Sequence, residues 1–178
     1  MSLYVDLLDE LLDGERRRPP LDWQATEVAV GAAIPADYRE LIERIGAGVV
    51  DDWLRIYGPQ PDNLYVDLAQ IVRDRDEAWA TFREYVDLPE RYFADGHRLL
   101  AFASVEENWF LWHLVPDVPP EQWGVVFVDA DMEGWHDFDM NASACLYEVL
   151  TGAISLEYLE NYFPGPRHQF TPMPAEID

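Results

Sequence analysis

The segment EVAVGAAIPADYRELIERIGAGVVDDWLRIYGP, residues 27–59, contains a helix, the end of that helix, an acidic turn and a strand. Pro35 suits the first turn of a helix, because its φ is fixed and no amide hydrogen is needed there. Asp37 then lies at the positive end of the helix dipole. Apolar residues follow at helical spacing, at Tyr38, Leu41, Ile42 and Ile45. The pattern therefore predicts a helix that begins at Pro35.

The second half of the segment turns the chain and starts a strand. Gly46 and Gly48 follow the last apolar residue of the helix, and glycine readily adopts the left-handed conformation that ends helices. Two valines then lead into the acidic pair Asp51 and Asp52. Alternating apolar residues over residues 54–56, followed by a Gly-Pro pair, predict a short strand.

Further helices are predicted on both sides of this segment. Ser2 can cap a leucine-rich first helix that ends near Gly14, and residues 16–20, RRRPP, form a connector. Residues 63–85 show helical spacing of apolar side chains, as one long helix or two short ones. Residues 146–150 and 156–162 predict short closing helices.

Between these helices lie four segments rich in aromatic or β-branched residues and separated by turn-forming residues. They predict an antiparallel meander with strands Leu99–Val105, Trp109–Val115, Gly124–Asp129 and Trp135–Met140. The apolar patterns also predict a buried core made of Trp23, Tyr38, Leu41, Ile45, Leu54, Ile56, Phe102, Leu111, Val126, Val128, Phe138 and Leu146.

Two of these segments resemble the SUKH superfamily, which includes fungal cell-wall synthesis regulators and many bacterial immunity proteins. The first resemblance is carried by Glu27, Val30, Gly31, Ile34, Pro35, Asp37 and Tyr38, with the glycine break and the strand ending at Gly58 and Pro59. The second is carried by residues 123–129, Trp135, Phe138 and the helix through Leu146, Leu150 and Gly152. The resemblance implies an α+β domain that binds proteins and has no catalytic residues. For bacterial members it implies neutralisation of a toxin.

The expected organisation is one SUKH-like α+β domain with N-terminal helices, a mainly antiparallel sheet and short C-terminal helices. Residues 1–20 are expected to form the N-terminal helix and connector, residues 21–162 the domain, and residues 163–178 a proline-containing tail that need not be ordered. A chain of 178 residues is long enough for one core, and a second full core is not expected.

The charge of the chain restricts its partners. The 35 acidic residues outnumber 12 arginines, there is no lysine, and the formal net charge is −23. Nucleic acids and anionic lipids would be repelled, because binding to them depends on neutralising phosphate charge. Two explanations of the acidity remain open: a solvated surface that keeps the protein soluble, and a surface that attracts a basic partner.

No cofactor or metal site is expected. Residues 129–140, DADMEGWHDFDM, match the first half of a calcium loop, but Met140 stands where the loop requires a bidentate glutamate. A hairpin turn is therefore preferred. The four histidines lack metal-ligand spacing, and neither the serines nor Cys145 has the sequence context of an activated nucleophile.

The cytoplasm is the expected location. The N-terminus shows no signal-peptide pattern, and the longest apolar runs fall short of the ~18 residues of a membrane span. Cys145 is the only cysteine, so no intrachain disulfide can form, and it is expected to be buried as a small hydrophobic residue.

Two classes of function remain from the sequence. The first is a protein-binding module, an immunity protein that covers the basic active surface of a nuclease-type toxin, or a regulatory adaptor without a toxin partner. The second is a carboxylate- or metal-dependent hydrolase, which no ligand pattern supports. The protein is expected to be a monomer or weak dimer. The candidate partner-binding residues are the turn acids Asp51, Asp52, Glu106, Glu107, Asp129, Asp131 and Glu133.

Overall fold

Five α-helices form in the part of the chain that the computed structural model describes, residues 2–173. They are α1 (Leu3–Leu11), α2 (Trp23–Val30), α3 (Ala36–Ile45), α4 (Leu68–Phe82) and α5 (Ala142–Leu150). Three of them begin at a polar cap. Asp22, Asp67 and Asn141 each accept a hydrogen bond from the backbone N–H three residues later. None of the helices in the described residues has the length and apolar character that crossing a membrane requires.

The eight strands of the described residues form one sheet in the order β1-β8-β2-β3-β4-β5-β6-β7. They are β1 (Leu12–Asp13), β2 (Gly48–Val50), β3 (Leu54–Ile56), β4 (Arg98–Val105), β5 (Asn108–Leu114), β6 (Val125–Val128), β7 (Trp135–Phe138) and β8 (His168–Pro172). Only β1 and β8 pair in parallel. Short 3₁₀ turns occur at Glu90–Tyr92, Pro120–Gln122 and Glu157–Leu159.

Helices cover both faces of this sheet. Since alternate residues of a strand point to opposite sides, one strand contributes to the core on each face. Leu100 and Phe102 of β4 belong to the main core cluster, which also contains the buried side chains of α1, α3 and α5. Leu99 and Ala101 belong to a second cluster around Trp79 of α4. The sheet is therefore the middle layer of an α+β fold.

A single hydroxyl connects α3 to the centre of the sheet. The Tyr38 side chain is fully buried, and its hydroxyl lies 2.6 Å from the carbonyl oxygen of Tyr57 and 2.7 Å from that of Phe102. Its ring makes edge-to-face contacts with Phe102 and Trp112. Burial raises the pKa of Tyr38 well above its ordinary value, so the hydroxyl keeps the proton that these carbonyl oxygens accept.

The predicted α+β fold and the antiparallel meander are confirmed. Strands β4 to β7 begin and end within two residues of the predicted positions. Of the predicted core residues, all are buried except Phe138, which is half-buried and packs against the main cluster. Alternation of apolar residues was therefore a sound guide to the strands that are adjacent in sequence.

Two helix predictions were too long. Helix α4 begins only at Leu68, because the Asp67 side chain caps its first turn, and Leu64 and Tyr85 are exposed. The predicted closing helix over residues 156–162 contains only the 3₁₀ turn at 157–159. Leu64 and Tyr85 fit the helical spacing of the sequence, but they lie beyond the ends of α4 and are not part of its buried face.

The prediction of a tail over residues 163–178 was wrong for residues 168–172, which form β8 between β1 and β2. His168 and Phe170 of this strand are buried. The first twenty residues also contribute to the same core, since α1 packs against α3 and α5. Neither predicted boundary therefore separates an independent unit, and residues 174–178 lie outside the described residues.

Two histidines are in contact at the end of the sheet where β4 begins. Nδ1 of His97 lies 2.9 Å from Nε2 of His113, and the Tyr92 ring meets the His113 ring edge-on. Burial, and next the neighbouring His97, lower the pKa of His113, while Asp137 acts in the opposite direction. In this contact one of the two facing nitrogens donates and the other, which carries no proton, accepts.

We predict that replacing Tyr38 with phenylalanine lowers the free energy of unfolding by about 1 to 3 kcal/mol, because buried carbonyl oxygens lose a donor. Urea unfolding followed by fluorescence measures the change. Tyr85→Phe is the matched control, since Tyr85 is 80% exposed. Equal midpoints for the two variants would contradict the role assigned to the Tyr38 hydroxyl.

The histidine pair predicts a pH dependence of stability. Because the pKa of His113 is lowered in the folded protein, the unfolded chain binds more protons below about pH 6.5. The contribution of His113 is therefore complete above that pH and is lost as the pH falls. The difference in unfolding free energy between pH 7.5 and pH 5 should shrink in His113→Gln and stay unchanged in His136→Gln, whose histidine is exposed. An identical difference in both variants would refute this.

Candidate functional site

The three acidic turns singled out in the sequence lie at the same end of the sheet. Strands β2 to β7 are neighbours in this order and all pair antiparallel, so every second turn lies at the same end of the sheet. The three acidic turns are those between β2 and β3, β4 and β5, and β6 and β7. The pairs at this end are Val50 with Leu54, Leu54 with Val105, Val105 with Asn108, Trp109 with Val128 and Val128 with Trp135. We call this end of the sheet, formed by residues 51–53, 106–107 and 129–134, the acidic edge.

The size of the acidic edge suits a protein contact. Six neighbouring strands, β2 to β7, end or begin there. At a strand spacing of about 4.8 Å, the three turns extend over roughly 25 Å. A standard protein interface buries about 800 Å² on each partner, which corresponds to a patch of similar width.

Five of the seven predicted residues are exposed at the acidic edge. These are Asp52, Glu106, Glu107, Asp131 and Glu133. Glu106 accepts a hydrogen bond of 2.5 Å from the Tyr162 hydroxyl. Asp52 and Glu106 have positive φ angles, which tight turns require and which longer side chains tolerate poorly. The structure thus brings exposed carboxylates from three turns to one end of the sheet.

Asp51 contributes to the fold of the edge and is only partly exposed. Its carboxylate accepts the backbone N–H of Gln169 at 2.8 Å and lies 2.5 Å from Nδ1 of His168. The other ring nitrogen of His168 lies 2.8 Å from the Leu150 carbonyl oxygen. Asp51 therefore links the β2–β3 turn to β8.

The prediction that Asp129 projects into solvent was wrong, because its side chain is 3% exposed. Its two oxygens accept the backbone N–H groups of Glu133 at 2.9 Å and Gly134 at 3.1 Å. Tyr158 also donates its hydroxyl hydrogen to Asp129, and this raises the pKa of Tyr158. Asp129 therefore holds the β6–β7 turn in shape. The predicted hairpin turn within residues 129–140 is confirmed, since paired strands flank the turn.

Aromatic side chains accompany the carboxylates along the acidic edge. Trp53 is 44% exposed, and its ring meets the Tyr162 ring edge-on at 5.0 Å. Tyr158 is 41% exposed beside the β6–β7 turn. These three aromatic residues are not among the candidates predicted from the sequence. Trp53 lies in the β2–β3 turn directly before the buried Leu54, and the position of the two tyrosines depends on how the segment after α5 packs.

The candidate nucleophiles Ser104, Ser143 and Cys145 are buried in the interior. Ser104 pairs with the Tyr57 hydroxyl at 2.7 Å, and Ser143 donates to Asp37 at 2.9 Å. Cys145 is buried as expected, and burial raises the pKa of its thiol. Among residues 2–173, no group of three or more histidine, cysteine or acidic side chains is arranged to hold a metal ion. That the protein binds no metal stays a prediction.

Comparison with protein-family models, curated proteins and solved structures finds no match. The resemblance to the SUKH superfamily therefore stays a prediction.

We predict that Asp129→Ala lowers the free energy of unfolding by about 1 to 3 kcal/mol, because two backbone N–H groups lose their acceptor. Asp131→Ala, two residues away in the same turn and exposed, should change it by no more than about 0.5 kcal/mol. Chemical denaturation of the three proteins measures both values. Equal stabilities would show that Asp129 does not support the turn.

Proposed function

We propose that this protein is a protein-binding module that acts as an immunity protein, neutralising a nuclease-type toxin by covering its basic active surface with the acidic edge. One observation carries the proposal: exposed carboxylates from three separate turns lie together at one end of the sheet beside partly exposed aromatic side chains.

The chemistry of such a contact requires only groups that the acidic edge contains. A nuclease binds phosphate through arginine and lysine, and carboxylates are acceptors that can occupy the same donors. Trp53 and Tyr158 can supply the apolar anchors around which an interface excludes water. Carboxylates therefore account for selection of a basic partner, and aromatic side chains for affinity.

Electrostatics supports a basic partner on a second ground. A chain with net charge −23 attracts positively charged surfaces over a Debye length, which is about 8 Å at physiological ionic strength. Association with such a partner should be steered by charge and should slow as salt is added.

Charge reversal at the acidic edge tests the proposal. The variant combines Glu107→Lys, Asp131→Lys and Glu133→Lys, whose native side chains are exposed. It leaves out Asp51 and Asp129, which support the fold, and the positions with positive φ. The control combines Asp95→Lys, Glu121→Lys and Asp139→Lys. These acids are also exposed but flank the opposite end of the strands, so both variants change the net charge equally.

The measurement is surface plasmon resonance against the toxin domain encoded beside the gene, at low and moderate salt, together with protection of cells from that toxin. The edge variant should associate about tenfold more slowly or worse and lose protection, while the control stays close to the parent protein. An equal loss of association rate and protection in both variants would show that net charge alone, and not the acidic edge, causes the effect. Absence of binding by the parent protein to any neighbouring toxin domain would favour the regulatory adaptor.

A further inference from the structure

Arg75 occupies an unusual position for a cation in this chain. Its guanidinium carbon lies 4.6 Å from the ring centroid of Trp79 and 4.6 Å from that of Trp109. Phe82 lies close by, at 5.7 Å. Stacking on aromatic rings covers the faces of a guanidinium group, whereas its N–H bonds point outward in the plane. The hydrogen-bonding edge of Arg75 is therefore the part left for another group.

No acceptor of the chain takes that position. Within residues 2–173, Arg75 forms neither a salt bridge nor a hydrogen bond, although the sequence contains 35 acidic residues. Three buried side-chain nitrogen or oxygen atoms there lack a partner, namely Arg75 Nε, Trp79 Nε1 and Trp112 Nε1. Two of these three donors belong to residues that line one cavity. Trp79 is 4% exposed, so its indole N–H is withdrawn from solvent.

This cavity of about 50 Å³ adjoins the acidic edge. Its wall includes Arg75, Trp79 and Trp109, and also two acids, Glu107 and Asp129. A single water needs about 10 to 15 Å³ of such space, so the cavity has room for roughly three to five non-hydrogen atoms. A carboxylate with its attached carbon has four.

We propose that this cavity takes the carboxylate of an aspartate or glutamate side chain on the protein partner, bound by Arg75 with Trp79 beside it. The assignment rests on the proposed function, since a partner that covers the acidic edge also covers the cavity. Covering Arg75 without supplying an acceptor would bury an unpaired N–H donor of a cation whose nearby opposite charge, Glu107, forms no hydrogen bond with it, and this is unfavourable. A basic partner surface that carries one acidic side chain opposite Arg75 pairs with both the carboxylates of the acidic edge and the Arg75 guanidinium.

The neighbouring residues favour a carboxylate over other acceptors. A phosphate group is larger and carries up to two negative charges, so the wall acids Glu107 and Asp129 oppose it more strongly than they oppose a singly charged carboxylate. A carboxamide carries no charge to pair with the guanidinium and would bring two donors into a cavity that already holds unpaired donors. A carboxylate is acceptor-only and matches the planar fork of arginine.

Titration with sodium acetate tests the site without any partner. The ¹⁵N-labelled protein is followed by NMR at the Arg75 Nε–H and at the indole N–H groups of Trp79 and Trp109, at constant ionic strength. Acetamide and sodium chloride are the control ligands. We expect saturable shifts with acetate alone and a dissociation constant in the millimolar range. Arg75→Gln should weaken binding about tenfold or more, and Arg73→Gln, an exposed arginine on the same helix, should not.

Several outcomes would overturn the assignment. These are no saturable shift in the parent protein, equal shifts with acetamide, or binding that survives in Arg75→Gln. Micromolar affinity for acetate would assign the cavity to a free small carboxylate instead of a side chain of a protein. If Arg75→Gln does not fold, Arg75→Lys keeps the charge without the planar fork and should also bind less well. Failure of the toxin experiment with a positive titration would leave the carboxylate site standing.

Discussion

The hydroxyl of Tyr38 is the contact on which the arrangement of the sheet most depends. It is shared by the carbonyl oxygens of Tyr57, where the chain leaves β3, and Phe102, in the middle of β4. Helix α3 is thereby fixed to the sheet at a polar contact inside an apolar core, where the donor cannot be replaced by water. The register of β3 on β4 in turn determines where the first two acidic turns lie.

The acidic edge combines residues that shape it with residues that are free to bind. Asp51 and Asp129 direct their carboxylates at backbone N–H groups and hold two of the turns. The exposed acids beside them can then project into solvent, because they are not needed to stabilise the turns. Separation of these tasks between neighbouring residues allows the exposed acids to vary with the partner while the turns stay the same.

Much of the fold followed from local patterns, because β4 to β7 are adjacent in sequence and alternate regularly. Strand β8 could not be found in this way, since its partners β1 and β2 come from the opposite end of the chain. In the same way, residue type does not distinguish Asp129 from Asp131. Asp129 differs because its carboxylate accepts two backbone N–H groups of the folded turn and the hydroxyl of Tyr158, which comes from a distant segment. The stacking of Arg75 could not be predicted from the sequence either, because the two tryptophans that enclose it lie on different elements.

Insertion of β8 between β1 and β2 has a consequence for the order in which the molecule folds. Asp13 and Arg167, whose side chains pair beside this ladder, are 154 residues apart in the chain. Contacts of such long range form slowly, because a large loop must close before they contribute. Until β8 arrives, β2 presents an unpaired strand edge to other molecules. The slowest-forming part of the sheet is thus also the part that protects a newly made chain from association through that edge.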